Sequence, residues 1–167
     1  DAGIADPDVD AAEVLLDPKV KRFEDVLKTL EDYEKKFPKQ NGFFANVSNY
    51  RIRALCGLDR VDEAQKLIEK MLADFPNNKI ATNALNTVVI AFFNRYTKLK
   101  ETDPLSAKKA LKVAADDLAL WNQLSGYSSP KNINNVADWY NELGEAGKAA
   151  ENYQRFLEIA GKDPNTK

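Results

Sequence analysis

Two stretches of this chain carry the same pattern: RFEDVLKTLEDYEKKFPKQ at 22–40 and, 38 residues on, RVDEAQKLIEKMLADFPNN at 60–78. In each, apolar side chains return every three or four positions, which places them on one helix face. Each then runs into Phe-Pro, and proline ends a helix because it lacks an N–H and clashes with the preceding turn. A helix of about 15 residues is marginal alone in water, so each must gain its stability by packing. One amphipathic helix recurring along the chain predicts packed helical hairpins.

The rest of the chain continues the pattern. Asp17-Pro18 reads as a helix start, because Asp caps and Pro suits the first turn. Val20, Phe23, Val26, Leu27, Leu30, Tyr33 and Phe37 then form its apolar face, and Pro38 and Gly42 close it. A short helix is expected before it at 8–16, behind Asp6-Pro7. Phe44, Val47, Tyr50, Ala54 and Leu55 mark a helix over 43–57. GLDR breaks it, and Val61, Ala64, Leu67, Ile68, Met71, Leu72 and Phe75 mark the next, which ends at Pro76. Residues 79–99 read as a longer helix, apolar nearly all round in LNTVVIAFFNRY and therefore expected to be the most buried. Asp103-Pro104 opens another, with Leu105, Ala107, Leu111, Ala114, Leu118 and Trp121 inward, and GYSSP closes it. The last pair, 131–143 and 146–161, flanks ELGEAG, with Val136, Ala137, Tyr140, Ala149, Tyr153, Phe156 and Leu157 inward. No segment shows the alternation of a strand. The expectation is an all-α fold of seven or eight antiparallel helices. It has an N-terminal extension at 1–17 and a repeat domain at 18–167, with pairs near 8–37, 42–76, 79–125 and 131–161.

A small or β-branched residue stands near the start of each second helix: Val26, Ala64, Ala107 and Ala149, spaced by 38, 43 and 42 residues. Such a residue lets two helices approach closely, and larger side chains a turn or two later fill the space beside it. NVADWYNELGEAGKAAENYQRFLEIAG at 135–161 resembles the tetratricopeptide repeat family through Ala137, Tyr140, Leu143-Gly144, Ala149, Tyr153 and Phe156. RALCGLDRVDEAQKLIEKMLADFPNN at 53–78 resembles it through its turn, its DEA and Pro76. The resemblance spans 22–161. It implies a right-handed α-solenoid of antiparallel helix hairpins, with first helices lining an inner groove and second helices forming the outer face. The Phe-Pro endings also look like those of bacterial envelope proteins with such repeats.

Composition narrows the function. Net charge is −2 and cations alternate with acids along the chain, so no basic stripe forms for nucleic acid. No run of 18 apolar residues exists to span a membrane. One cysteine allows no internal disulfide, which suits the cytosol or a bacterial periplasm alike, with a lean towards a periplasmic or secreted setting. The start, DAGIADPDVD, lacks an initiator Met and a signal-peptide pattern, and reads as a processed end or a boundary. The final helix is repeat-like where a polar cap is usual. That suggests further chain, or a face that pairs with a second copy.

The chain has no histidine, which removes the commonest general base and metal ligand. Nucleophile-elbow, zinc-helix, paired-cysteine and phosphate-loop motifs are missing. Asp116 and Asp117 are adjacent on a helix, point apart, and read as solvated. Cys56 reads as a small core or boundary residue, and Trp121 and Trp139 as packing residues. The expectation is therefore no enzyme, no catalytic residue, no cofactor and no metal.

Asparagines stand out on the first helices, where Ala, Glu or Lys is better suited. By register Asn49, Asn83 and Asn134 share one inward place, with Arg53, Thr87 and Asp138 a turn later; Asn46, Asn86 and Asn141 accompany them. A carboxamide donates and accepts, so a row of them can hold a peptide backbone, and Arg53 can take a carboxylate. The plainer alternative is a solvated polar groove, or Asn used near helix ends as caps. The reading is a non-catalytic scaffold that binds a peptide or protein segment in its concave groove. The alternatives are a helical accessory domain of a larger bacterial envelope or secreted enzyme, and a structural domain that forms homo-oligomers through its terminal repeat.

Overall fold

The computed structural model describes residues 7–36 and 44–161, and every regular element among them is an α-helix. In chain order these are α1 (Pro7–Leu15), α2 (Phe23–Lys36), α3 (Phe44–Gly57), α4 (Val61–Asp74), α5 (Lys79–Leu99), α6 (Pro104–Leu124), α7 (Pro130–Leu143) and α8 (Ala146–Ala160). The chain forms two compact units, Asp1–Val88 and Val89–Lys167, with the division falling inside α5.

In the first unit α2 packs on both α1 and α3, α3 packs on α4, and α3 also reaches back to α1. The core takes Ala12 from α1 and Leu16 just after it, Val26, Leu30 and Tyr33 from α2, and Val47 and Ala54 from α3. The Tyr50 hydroxyl on α3 donates to Glu13 on α1 at 3.2 Å, tying helices two apart in the chain. Gly57, the last residue of α3, is held small by close approach: a Cβ there would lie 2.6 Å from the Phe23 ring at the start of α2.

One boundary differs from expectation. The helix does not begin at Asp17-Pro18. The Asp17 carboxylate accepts from the N–H of Lys19 at 2.8 Å, and its carbonyl accepts from Val20 and Lys21, so it closes a local turn. Lys21 then adopts φ 50°, which a right-handed helix cannot pass through. Burial of Leu16 against the α1–α2 core favours that turn, and Val20 is left exposed. Asp6, Phe37, Pro38 and Gly42 lie outside the described residues, as does the side chain of Phe44.

In the second unit α7 packs between α6 and α8. Asp103 caps α6 by accepting from the N–H of Ser106 at 3.1 Å, and Pro104 occupies the first turn. Ser129 and Pro130 do the same for α7. Gly144 ends α7 at φ 81°, and the N–H of Glu145 returns to the Tyr140 carbonyl at 2.8 Å. That left-handed cap reverses the chain in two residues and sets α8 antiparallel to α7. The core joins Val89 of α5, Ala115 and Leu118 of α6, Val136 and Tyr140 of α7 and Ala149 of α8. Phe93 of α5 stacks on Trp139 of α7, ring centres 4.6 Å apart, and the Tyr96 hydroxyl donates to Glu142.

The four small anchors, Val26, Ala64, Ala107 and Ala149, are all buried. Besides Val20, other expectations about burial fail. α5 is not the most buried helix: Ile90 is 52% exposed, whereas α6 keeps an unbroken stripe from Ala107 through Ala110, Leu111, Ala114 and Ala115 to Leu118. Leu105 is 69% exposed because it precedes that stripe in the first turn of α6. Leu157 is 67% exposed because α8 has one main neighbour, α7, and turns this residue away from it.

Gly57→Ala is expected to lower stability by about 1–2 kcal/mol through displacement of the Phe23 ring. Gly147→Ala, where an added Cβ meets nothing within 4 Å, is expected to raise stability by about 0.5 kcal/mol. Urea denaturation of both variants checks the contrast.

Candidate functional site

The residues singled out in the sequence fall in both units. In the first, Asn46, Asn49 and Arg53 are half-buried on α3, and the Arg53 guanidinium lies 6.0 Å from the Tyr50 ring centre. On α5, Asn83 is exposed and Asn86 and Thr87 are half-buried. In the second unit Asn134, Asp138 and Asn141 share one face of α7 at helical spacing. The Asn134 carboxamide donates to Asp138 at 2.9 Å, and the other Asp138 oxygen accepts from the Tyr153 hydroxyl on α8 at 2.5 Å. Asn134 and Asp138 therefore already serve the α7–α8 seam, while Asn141 is exposed.

A second arrangement in the same unit escaped the sequence reading. α6 and α8 flank a cleft of about 490 Å³. The α6 wall is Asp116, Ala119, Leu120 and Gln123; the α8 wall is Lys148, Glu151, Asn152 and Arg155. Both walls have the spacing i, i+3, i+4, i+7, which lines residues along one helix face. Tyr140 from α7 lies between them, and Tyr127 from the α6–α7 loop stands at the Arg155 end.

At the other end the charges are locked together. Asp116 accepts from the Tyr140 hydroxyl at 2.8 Å and from Lys112, with Lys148 at 3.5 Å. Lys148 and Lys112 also meet Glu145, at 3.0 and 3.5 Å. Lys148 lies 4.8 Å from the Tyr140 ring centre, a cation over an aromatic face. Partial burial pushes the Asp116 carboxyl up, but the hydrogen bonds from Lys112 and Tyr140 and the charges of Lys112 and Lys148 outweigh it. Its pKa lies below the ordinary aspartate value. Burial, then the bond to Asp116, drives the Tyr140 phenol well above the usual tyrosine range. The four charged side chains are 30–49% exposed, so solvent screens each pair and the network acts chiefly by fixing geometry.

Around Tyr127 the chain departs from local preference. Tyr127 has φ 57°, a left-handed conformation that a bulky residue rarely adopts. It is held there by its N–H bond to the Asn122 carbonyl at 2.7 Å and by the Arg155 guanidinium, 4.3 Å from its ring centre. Asn122 is 1% exposed, and neither atom of its carboxamide has a protein hydrogen-bond partner; the buried Trp121 indole nitrogen also lacks one.

Asp117, expected to be solvated, is 8% exposed, because α6 turns it inward beside Leu118. Cys56 is half-buried, and burial pushes its thiol up to about 12, which suits an inert boundary residue. Among the described residues no cluster of His, Cys, Asp or Glu has the arrangement to hold a metal ion. Among them too, no helix is long and apolar enough to cross a membrane. The cleft offers recognition chemistry: two cations, two carboxylates, two carboxamides and aromatic faces. The chain matches no protein-family model, no curated protein and no solved structure.

Asp116→Asn is expected to lower stability at pH 7 by about 0.5 kcal/mol, given the solvent screening. Because the folded pKa of Asp116 is depressed, this contribution is full above the unfolded value of about 3.9 and fades as pH falls through the folded value. Denaturation of wild type and variant at pH 7 and pH 2.5 checks it, and the two are expected to converge in acid. Asn122→Leu, which replaces an unpartnered buried carboxamide by an apolar group of similar size, is expected to raise stability by about 1 kcal/mol, read as an upward shift in Tm.

Proposed function

We propose that this chain is a non-catalytic protein-interaction module, a tetratricopeptide-like array of helical hairpins that holds a peptide segment of a partner. The observation that carries this reading is the α6–α8 cleft, whose two walls present hydrogen-bonding and charged groups in matched helical register.

Two features of the packing support the repeat reading. Helices two apart meet in both units, α1 with α3 through Tyr50 and Glu13, and α5 with α7 through Phe93 and Trp139. The small anchor in each second helix is buried, as close helix pairs require. Stacked hairpins of this kind wind into a right-handed superhelix in the family the sequence resembles. The polar face of α7 is a second candidate surface: Asn141 is exposed, while Asn134 and Asp138 would exchange their bonds to each other and to Tyr153 for bonds to a partner.

Selection of a random 12-residue phage library on the wild-type protein is expected to yield a convergent peptide set. Synthetic copies should bind with Kd near micromolar, about −8 kcal/mol. Calorimetry against Asn134→Ala/Asp138→Ala and against Lys148→Ala separates the α7 face from the cleft. Failure of any sequence to converge would remove the interaction-module reading.

A further inference from the structure

We infer that the α6–α8 cleft takes an acidic side chain flanked by an aliphatic residue in a peptide segment, and that the Arg155 guanidinium meets the carboxylate. The inference rests on the interaction-module reading and names the chemistry of its ligand.

Arg155 is the cation in the cleft whose hydrogen bonds are not already committed. Lys148 is engaged by Glu145 and Asp116. Among the described residues the acidic partner of Arg155 is Glu151, at 3.7 Å, beyond hydrogen-bond length. The central carbon of its guanidinium lies 4.3 Å from the Tyr127 ring centre, a cation–aromatic contact that restrains the side chain and uses none of its N–H donors. A guanidinium restrained in this way can grip a planar carboxylate through two parallel bonds.

The surroundings select among anions and give the ligand its neighbour. Glu151 and Asp116 line the same cleft, so repulsion there grows with the charge of an anion, and a single carboxylate meets about half of what a doubly charged phosphate meets. Asn152 spends its carboxamide N–H on the Lys148 carbonyl at 2.9 Å, which leaves its oxygen to accept from a peptide N–H. Across the cleft Leu120, 37% exposed, and Ala119 form an apolar strip on α6 for an adjoining aliphatic side chain.

The local irregularities point to the same spot. Tyr127 is left-handed, and the buried carboxamide of Asn122, whose backbone carbonyl accepts from the Tyr127 N–H, has no protein partner. Such exceptions cluster where function maintains them. Here the left-handed backbone, fixed by the bond from the Tyr127 N–H to the Asn122 carbonyl, sets the Tyr127 ring against Arg155.

The test is a 12-residue phage library selected on wild type and counter-selected on Arg155→Ala. Peptides lost in the counter-selection are then synthesised with acetylated and amidated ends and measured by calorimetry. They are expected to carry an internal Asp or Glu beside Leu, Ile, Val or Met. Arg155→Ala should weaken them roughly tenfold, as for a charge-assisted hydrogen bond. Arg155→Lys, which keeps the charge and loses the fork, should remain weak. Replacing the peptide's Glu by Gln should cost as much on wild type and nothing further on Arg155→Ala. Tyr127→Gly suits the left-handed backbone but removes the ring, so it should keep its Tm and still lose affinity.

Selected peptides that are basic or lack an acid, or affinities indifferent to Arg155, would overturn the assignment. So would peptides that bind only through a free C-terminal carboxylate. If binders depend on Asn134 and Asp138 but not on Arg155, the interaction module stands and this cleft does not. If no peptide converges, both fall.

Discussion

Tyr140 belongs to two structures at once. Its ring is part of the core that joins α5, α6, α7 and α8, and is 4% exposed. Its hydroxyl emerges from that core to donate to Asp116 on the cleft wall. A buried ring cannot wander, so the carboxylate it bonds is placed by core packing rather than by its own rotamer preference. Asp116 in turn holds Lys148 and Lys112, and the α6 and α8 walls are set against each other from that end. The order of causes runs from helix seams closed by small residues, to a fixed Tyr140, to a cleft whose charged end is already assembled.

Elsewhere the chain repeats this device. Tyr50 reaches Glu13, Tyr96 reaches Glu142 and Tyr153 reaches Asp138, each joining two helices of one unit. A phenol combines an apolar ring for the seam with one polar atom for its edge, so a single residue contributes burial and register together. The Asn134–Asp138–Tyr153 chain shows how this competes with ligand binding: polar atoms used in a seam are withdrawn from a partner.

Much of the fold was legible because helix signals are local. Apolar periodicity located α4 and α6 to α8, and Asp103-Pro104 opens α6 with a side-chain cap as read; Ser129-Pro130 caps α7 in the same way, although GYSSP reads only as a turn. Asp17-Pro18 has the same outward form, yet Asp17 bonds to Lys19 in a turn. The choice between cap and turn is made by where Leu16 packs, and that is a tertiary fact. Leu105, Leu157 and Ile90 fail for a related reason: periodicity shows that a face is apolar but not how far a neighbouring helix covers it. The asparagine register places Asn46, Asn49 and Arg53 at helical spacing on α3 and Asn134, Asp138 and Asn141 at helical spacing on α7. The cleft was hidden because each wall, taken alone, reads as an ordinary solvated face, and only the α6–α7–α8 packing sets them opposite one another. Nothing in GYSSP announces that Tyr127 adopts φ 57°.

The tyrosine-to-carboxylate links have a consequence for how the molecule meets base. Each works only while the phenol keeps its proton, and Tyr50, Tyr96, Tyr140 and Tyr153 all hold theirs more tightly than free tyrosine, Tyr96 up to about 12. Once pH passes the unfolded value of about 10, an unfolded chain sheds those protons while the folded one retains them. Unfolding is then drawn forward by hydroxide, and the fastenings between helices loosen together as alkalinity climbs through the folded values.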